Sequence, residues 1–248
     1  MHKTKRPLVL WTTQRTGSTR LTHVLGTVVD TKMLHEPFNP GRPFSPIRQT
    51  FLEDNDWDRL AATIEGKLGE GISLKICVDV VGLGVITATS HAAARLGFAN
   101  VLLTRASVPR MLSREFAKRS NVWGPDQIDR LGDTDTIFRV PLNIARILEK
   151  EAVAIMRLNY LCKLMDWSGR DNVRLRYEDL FETQGDASRT AMGALLSSLG
   201  VPHDAATRDS IAADLQSEGT QGTRDLYTRF KGVNRLEELA ETLPRSLF

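Results

Sequence analysis

The chain has 248 residues, 41% of them hydrophobic and 25% charged, the composition of an ordinary soluble globular protein. At this length it can bury roughly three-quarters of its unfolded surface, so it needs no disulfide or metal staple. The formal net charge of +3 excludes nucleic-acid or membrane binding through bulk charge alone, and any anion recognition must come from local basic residues.

Two cysteines, Cys77 and Cys162, are too few for a disulfide framework or a zinc site and read as buried thiols in a reducing compartment. No apolar run approaches the ~18 residues of a membrane span. The run Leu8–Trp11 is too short for a signal-peptide core, so a cytoplasmic location is expected.

In chain order, Pro7–Trp11 has the apolar character of a buried parallel strand. A glycine-containing polar loop follows, and then Leu21, Val24, Leu25 and Val28 recur at helical spacing. Pro37 to Pro46 carries four prolines and predicts an irregular loop near a site mouth. Further strands are predicted at Ile72–Val78, Asn100–Thr104 and Asn172–Arg176, all short and bounded by turn residues. Helical patterns cover Trp57–Leu68, Thr87–Leu96, Pro109–Lys118, Leu142–Trp167 and Ala187–Leu199. Alternating strands and helices predict a P-loop-like three-layer α/β fold, a central parallel sheet flanked by helices, in one domain spanning 1–248.

Chemistry concentrates first in Thr12–Arg20, between the opening strand and helix, where backbone N–H groups and the positive helix end converge on an anion. Gly17 lets the backbone approach closely, and the hydroxyls of Thr16, Ser18 and Thr19 can donate to phosphate oxygens. Arg15 adds a forked cation, with Arg20 following inside the helix. The same residues also suit a plain glycine–serine cap turn. A nucleotide kinase or hydrolase of the P-loop class would show GxxxxGK[ST], which is absent.

A second anion grip is predicted where the strand Val101–Thr104 ends at Arg105, with Ser113 eight residues later on the next helix. An arginine fork and a helix-borne hydroxyl can hold a dianion from two sides. A third feature is the strand ending Tyr177-Glu178-Asp179-Leu180.

Together these three segments resemble the superfamily of sulfotransferases that use 3′-phosphoadenosine-5′-phosphosulfate (PAPS), in the bacterial style of trehalose and Nod-factor sulfotransferases. The first loop is similar to their 5′-phosphosulfate loop, with Gln14 where proline is usual and Arg15 at the basic position. The resemblance implies that Arg15, Thr16, Gly17, Ser18, Thr19 and Arg20 bind the 5′ side of PAPS, and that Arg105 and Ser113 hold its 3′-phosphate. Tyr177 would lie beside the adenine or, alternatively, be a core-edge aromatic with Glu178 and Asp179 capping the next element.

The strand Ser73–Asp79 carries Lys75 at the family's active-site lysine, with Cys77 where one branch has a histidine base. Another branch uses a glutamate about twenty residues after the loop, which selects Glu36, with His35 in reserve. Enclosure by Leu34, Pro37 and Phe38 predicts a raised Glu36 pKa; a pairing of Glu36 with Arg42 is the alternative. The implied reaction is in-line sulfuryl transfer from PAPS to a hydroxyl or amine of a small-molecule or carbohydrate acceptor. Arg15 and Lys75 would assist, no metal is expected, and 3′-phosphoadenosine 5′-phosphate would be the product nucleotide. Gly219–Asp225 is expected to be a flexible loop able to close over the nucleotide. A P-loop-like nucleotide kinase and a catalytically inactive nucleotide-binding module stand as alternatives.

Overall fold

A computed structural model describes residues 3–132, 134–169, 172–183, 186–217 and 223–247. Five parallel strands, β1 (Leu8–Thr12), β2 (Met33–His35), β3 (Ser73–Cys77), β4 (Ala99–Thr104) and β5 (Asn172–Arg176), form one sheet in the order β2-β3-β1-β4-β5. β1 lies in the middle, with Trp11 opposite Ile76 of β3 and Leu102 of β4. All five residues of β1 and of β3 are buried, which is why Leu8–Trp11 reads as an apolar run, although β3 also buries Ser73 and Lys75.

Alternation along β1 divides the core between the two faces of the sheet. Val9 and Trp11 pack with the helices α3 (Trp57–Leu68), α4 (Leu83–Arg95) and α7 (Ile144–Ser168). Leu8 and Leu10 pack with α1 (Ser18–Val28), α8 (Asp186–Ser198) and α9 (Ala205–Ser217). The result is the predicted three-layer α/β arrangement, a parallel sheet with helices on both faces. A third apolar cluster joins α5 (Ser107–Ser120), α6 (Thr134–Arg139), the start of α7, the turn Arg224–Arg229 and α10 (Val233–Ala240), through Phe116, Phe138, Tyr227 and Phe230.

Capping residues set several ends. Asp56 accepts the Arg59 N–H at the start of α3, and Asn143 accepts the Arg146 N–H at the start of α7. α7 stops at Gly169, which takes the left-handed conformation at φ 60°.

Five of these elements, β2, α2 (Ser45–Asp54), α6, α9 and α10, were not among the predicted ones. β2 is a three-residue edge strand, too short for a pattern to register, and it enters the sheet through Leu34 opposite Leu74. The helix α2 begins inside the proline-rich segment, because Pro46 sits in its first turn, where a missing N–H costs nothing. The irregular loop is therefore shorter than expected, and Phe38 and Phe44 bury an edge-to-face pair that fastens it to the core. Among the described residues, no helix is long and apolar enough to cross a membrane.

Candidate functional site

The C-terminal ends of β1, β3 and β4 deliver the candidate residues to one edge of the sheet, the place where an open α/β sheet binds its ligands. The loop after β1 reverses through two left-handed residues, Arg15 at φ 67° and Gly17 at φ 74°. Gly17 is there for two reasons. Its φ favours glycine, and an added Cβ would stand 2.9 Å from the Phe181 ring and 3.0 Å from the Tyr177 ring. α1 starts directly after Gly17, with no capping side chain on its first-turn N–H groups and no acidic residue in that turn. Such a terminus is electropositive and has donors to offer.

The loop's hydroxyls divide by role. Thr16 is fully buried and bonds Thr12 Oγ1 and the Thr13 carbonyl, so it braces the turn from within. Ser18 is buried at the start of α1, while Thr19 is exposed and accepts a hydrogen bond from Lys75 Nζ at 3.2 Å. Arg20 turns to α9 and donates to the Asp214 carbonyl, fastening α1 to the outer helix.

Arg15 reaches across to α5. Its Nε donates to Ser113 Oγ at 3.0 Å and its NH1 donates to the Trp123 carbonyl. Burial pushes the Arg15 guanidinium below its ordinary value, and Arg105 adds to the shift, yet an arginine stays charged at neutral pH. Arg105 in turn donates from NH1 to the Arg15 carbonyl at 3.0 Å, and its Nε is buried with no hydrogen-bond partner. An unmatched buried guanidinium donor at the mouth of a glycine turn is a place for an anionic oxygen.

Beneath Arg105 lies the Tyr177 ring, 4.0 Å from the guanidinium carbon, and Tyr177 stacks on Phe181 at 4.8 Å between centroids. Tyr177 is thus a buried wall of the site, shared by Arg105, Phe181 and Gly17. Glu178 accepts the Ala106 N–H at 2.8 Å, just before α5, an element that precedes it in the chain.

Glu36 and Lys75 meet on the other side of the loop. Lys75 Nζ lies 2.8 Å from Glu36 Oε1, and its side chain is only 5% exposed. The Glu36 N–H donates to the Lys75 carbonyl at 2.8 Å, which continues the β2–β3 pairing by one residue while φ turns to 49°. Asn39 Nδ2 donates to Oε2 at 2.6 Å, and the Cys77 thiol to Oε1 at 3.4 Å.

The predicted elevation of the Glu36 pKa is overturned. Burial does press it upward, but the Lys75 ammonium and the hydrogen bonds from Lys75, Cys77 and Asn39 outweigh burial, so the carboxyl sits below its usual range. The apolar neighbours in sequence say nothing of the contact that decides the direction, the Lys75 ammonium reaching Glu36 from the adjacent strand. The partner of Glu36 is Lys75, not Arg42, which is exposed. His35 is exposed at the end of β2, its pKa lowered by desolvation and by Lys75. Cys77 is buried and its thiol is raised well above its ordinary value, chiefly by burial, so it serves as a neutral donor.

No protein-family model matches the chain, and no curated protein or solved structure matches it significantly.

The structure therefore gathers Arg15, Gly17, Arg105, Ser113 and Tyr177 around one turn, with Thr19, Lys75 and Glu36 linked beside it. Residues 219–222 of the expected closing loop lie outside the described residues, whereas Arg224 within it and Arg229 beyond it are paired with Glu182 and Asp135. Asn39, Asp79, Trp123 and Phe181 were not anticipated. Only a contact across the fold reveals them, apart from Asn39, whose three-residue spacing from Glu36 was open to reading. Among the described residues, no group of His, Cys, Asp or Glu side chains is arranged to hold a metal ion.

Proposed function

We propose that this protein is a sulfotransferase that moves a sulfuryl group from PAPS to a hydroxyl or amine of a small-molecule or carbohydrate acceptor. The observation that carries the reading is the hydrogen bond from Arg15 to Ser113. It joins the phosphate loop to the second grip, so that one bisphosphorylated nucleotide can touch both. The buried, unmatched Arg105 Nε is a donor of the kind a 3′-phosphate would satisfy.

In this reading the loop N–H groups, Ser18 and Arg15 receive the 5′-phosphosulfate, and Arg105 with Ser113 receives the 3′-phosphate. The acceptor oxygen or nitrogen forms a bond to sulfur as the bond from sulfur to the 5′-phosphate oxygen breaks. Glu36 takes the acceptor proton, and Arg15 stabilises the negative charge that collects on the leaving phosphate. Lys75, placed between Glu36 and Thr19, keeps Glu36 ionised and therefore able to accept that proton at neutral pH. Movement of the ammonium toward the transferring group would release the carboxylate and strengthen it as a base.

Sulfate transfer from sulfur-labelled PAPS to a panel of sugars, phenols and amines tests the proposal. Turnover is expected with at least one acceptor, and Glu36→Gln is expected to lower kcat at least about a hundredfold with nucleotide affinity retained. Equal turnover by the wild type and Glu36→Gln would remove Glu36 from the chemistry, and magnesium-dependent use of ATP in place of PAPS would overturn the reading.

A further inference from the structure

The turn that follows β3 is built around a carboxylate that the reaction itself does not use. Asp79 accepts the main-chain N–H of Gln14 with both oxygens, at 3.1 and 3.3 Å. Gln14 is the residue before left-handed Arg15, so this bond acts where the phosphate loop leaves the sheet and begins to reverse. A residue with positive φ and a side chain is held only where its surroundings over-determine it.

The turn carrying Asp79 is itself braced. Arg157 of α7 donates from NH1 to the carbonyls of Val78 at 3.2 Å, Asp79 at 3.1 Å and Val81 at 2.9 Å. Arg110 and Arg114 of α5 act on the carboxylate by charge, and both pair with fully buried Glu151 of α7. Burial raises the Asp79 carboxyl, while Arg110, the Gln14 N–H and Arg114 oppose that rise. The carboxylate thus stands between a braced polar base and the Gln14 amide of the loop.

We propose that Asp79 is a positioning residue that fixes the phosphate loop by holding the Gln14 N–H, so that the loop is set before any ligand arrives. Proline at position 14 would need no such partner, because it has no N–H to satisfy and its φ is fixed by its ring. Glutamine there leaves one amide to be satisfied and more backbone freedom to remove, and Asp79 does both. The latch stands on its own geometry, and its effect on nucleotide affinity rests on the function proposed above.

Two readouts separate these claims. In the ligand-free full chain, hydrogen exchange of the Gln14 amide followed by NMR is expected to quicken at least about tenfold in Asp79→Ala. Asp79→Asn, which keeps an acceptor oxygen, is expected to hold it within about threefold. Calorimetric titration with 3′-phosphoadenosine 5′-phosphate then compares Asp79→Ala in two backgrounds. Affinity is expected to fall about tenfold with Gln14 present and less than about twofold after Gln14→Pro, because the donor is gone.

Should Asp79→Ala fail to fold, Asp79→Ser takes its place in each arm. An unchanged Gln14 exchange rate, or an equal loss of affinity in both backgrounds, overturns the latch. Faster exchange in Asp79→Ala in a protein whose wild type ignores the nucleotide supports the latch and overturns the proposed function.

Discussion

Replacing Gly17 by alanine tests the geometry of the loop after β1 without reference to any ligand. At φ 74° the substitution places a side chain in the left-handed region, which costs roughly 1–2 kcal/mol. The new Cβ would meet Phe181 Cε2 at 2.9 Å and Tyr177 Cε2 at 3.0 Å, distances at which something must move. Neither ring yields easily, since the two stack at 4.8 Å and Arg105 lies 4.0 Å from the Tyr177 centroid. Forcing a methyl into such packing costs about 1–3 kcal/mol more.

The total is about 2–5 kcal/mol, and at this chain length each kcal/mol lowers Tm by about 2–4 °C. Thermal unfolding followed by circular dichroism is expected to show a fall of roughly 4 to 20 °C. Phe181→Leu in the Gly17→Ala background removes part of the clash, and a double-mutant cycle is expected to give a coupling of at least about 1 kcal/mol. A fall smaller than about 2 °C, or strictly additive effects, would refute the packing of Phe181 and Tyr177 on the loop.

Glu36 has a depressed pKa, so its contribution to stability is complete above the ordinary glutamate value of roughly 4.3 and is lost as pH falls through the lower folded value. Urea unfolding at a series of pH values should show a shallower acid decline in Glu36→Gln than in the wild type; identical slopes would deny the Lys75–Glu36 pair its role. Glu151→Leu leaves Arg110 and Arg114 without their buried counter-charge and is expected to cost about 3–5 kcal/mol in urea unfolding. A cost under about 1 kcal/mol would show that the arginines find other partners. Arg15→Ala is expected to lower kcat more than it weakens nucleotide binding, read from steady-state kinetics beside titration calorimetry; an effect confined to affinity would take Arg15 out of leaving-group stabilisation.

The parts of the fold that could be read from sequence are those in which one residue pattern decides one element. The apolar run before Trp11 had to be a strand buried on both faces, and Trp57–Leu68 and Asn172–Arg176 fall where their patterns place them. β2 was invisible, because three residues at an edge carry no periodicity and its pairing depends on β3, reached only after α2 and α3. α2 was masked by prolines whose usual meaning is a loop, although Pro46 in a first turn is compatible with a helix.

At the site, Gly17, Arg105 and Ser113 were legible as residue types in order along the chain, but Ser113 takes its hydrogen bond from Arg15 while Arg105 bonds the Arg15 carbonyl. What they touch was not legible. Lys75 neutralises Glu36 from an adjacent strand, and that contact reverses a pKa argument drawn from apolar sequence neighbours alone. Arg20, one residue beyond the useful part of the loop, spends its guanidinium on the Asp214 carbonyl, because the helical rotation after Thr19 directs it toward α9. Asp79 and Phe181 act on the loop from 65 residues after Gln14 and 164 residues after Gly17, separations no local pattern spans.

The most direct measurement is the thermal shift of the wild type with 3′-phosphoadenosine 5′-phosphate beside adenosine 5′-phosphate. The two-grip account predicts a shift of several degrees with the bisphosphate, a much smaller one with the monophosphate, and loss of the difference in Arg105→Ala. Equal shifts with both nucleotides, or none with either, would contradict it.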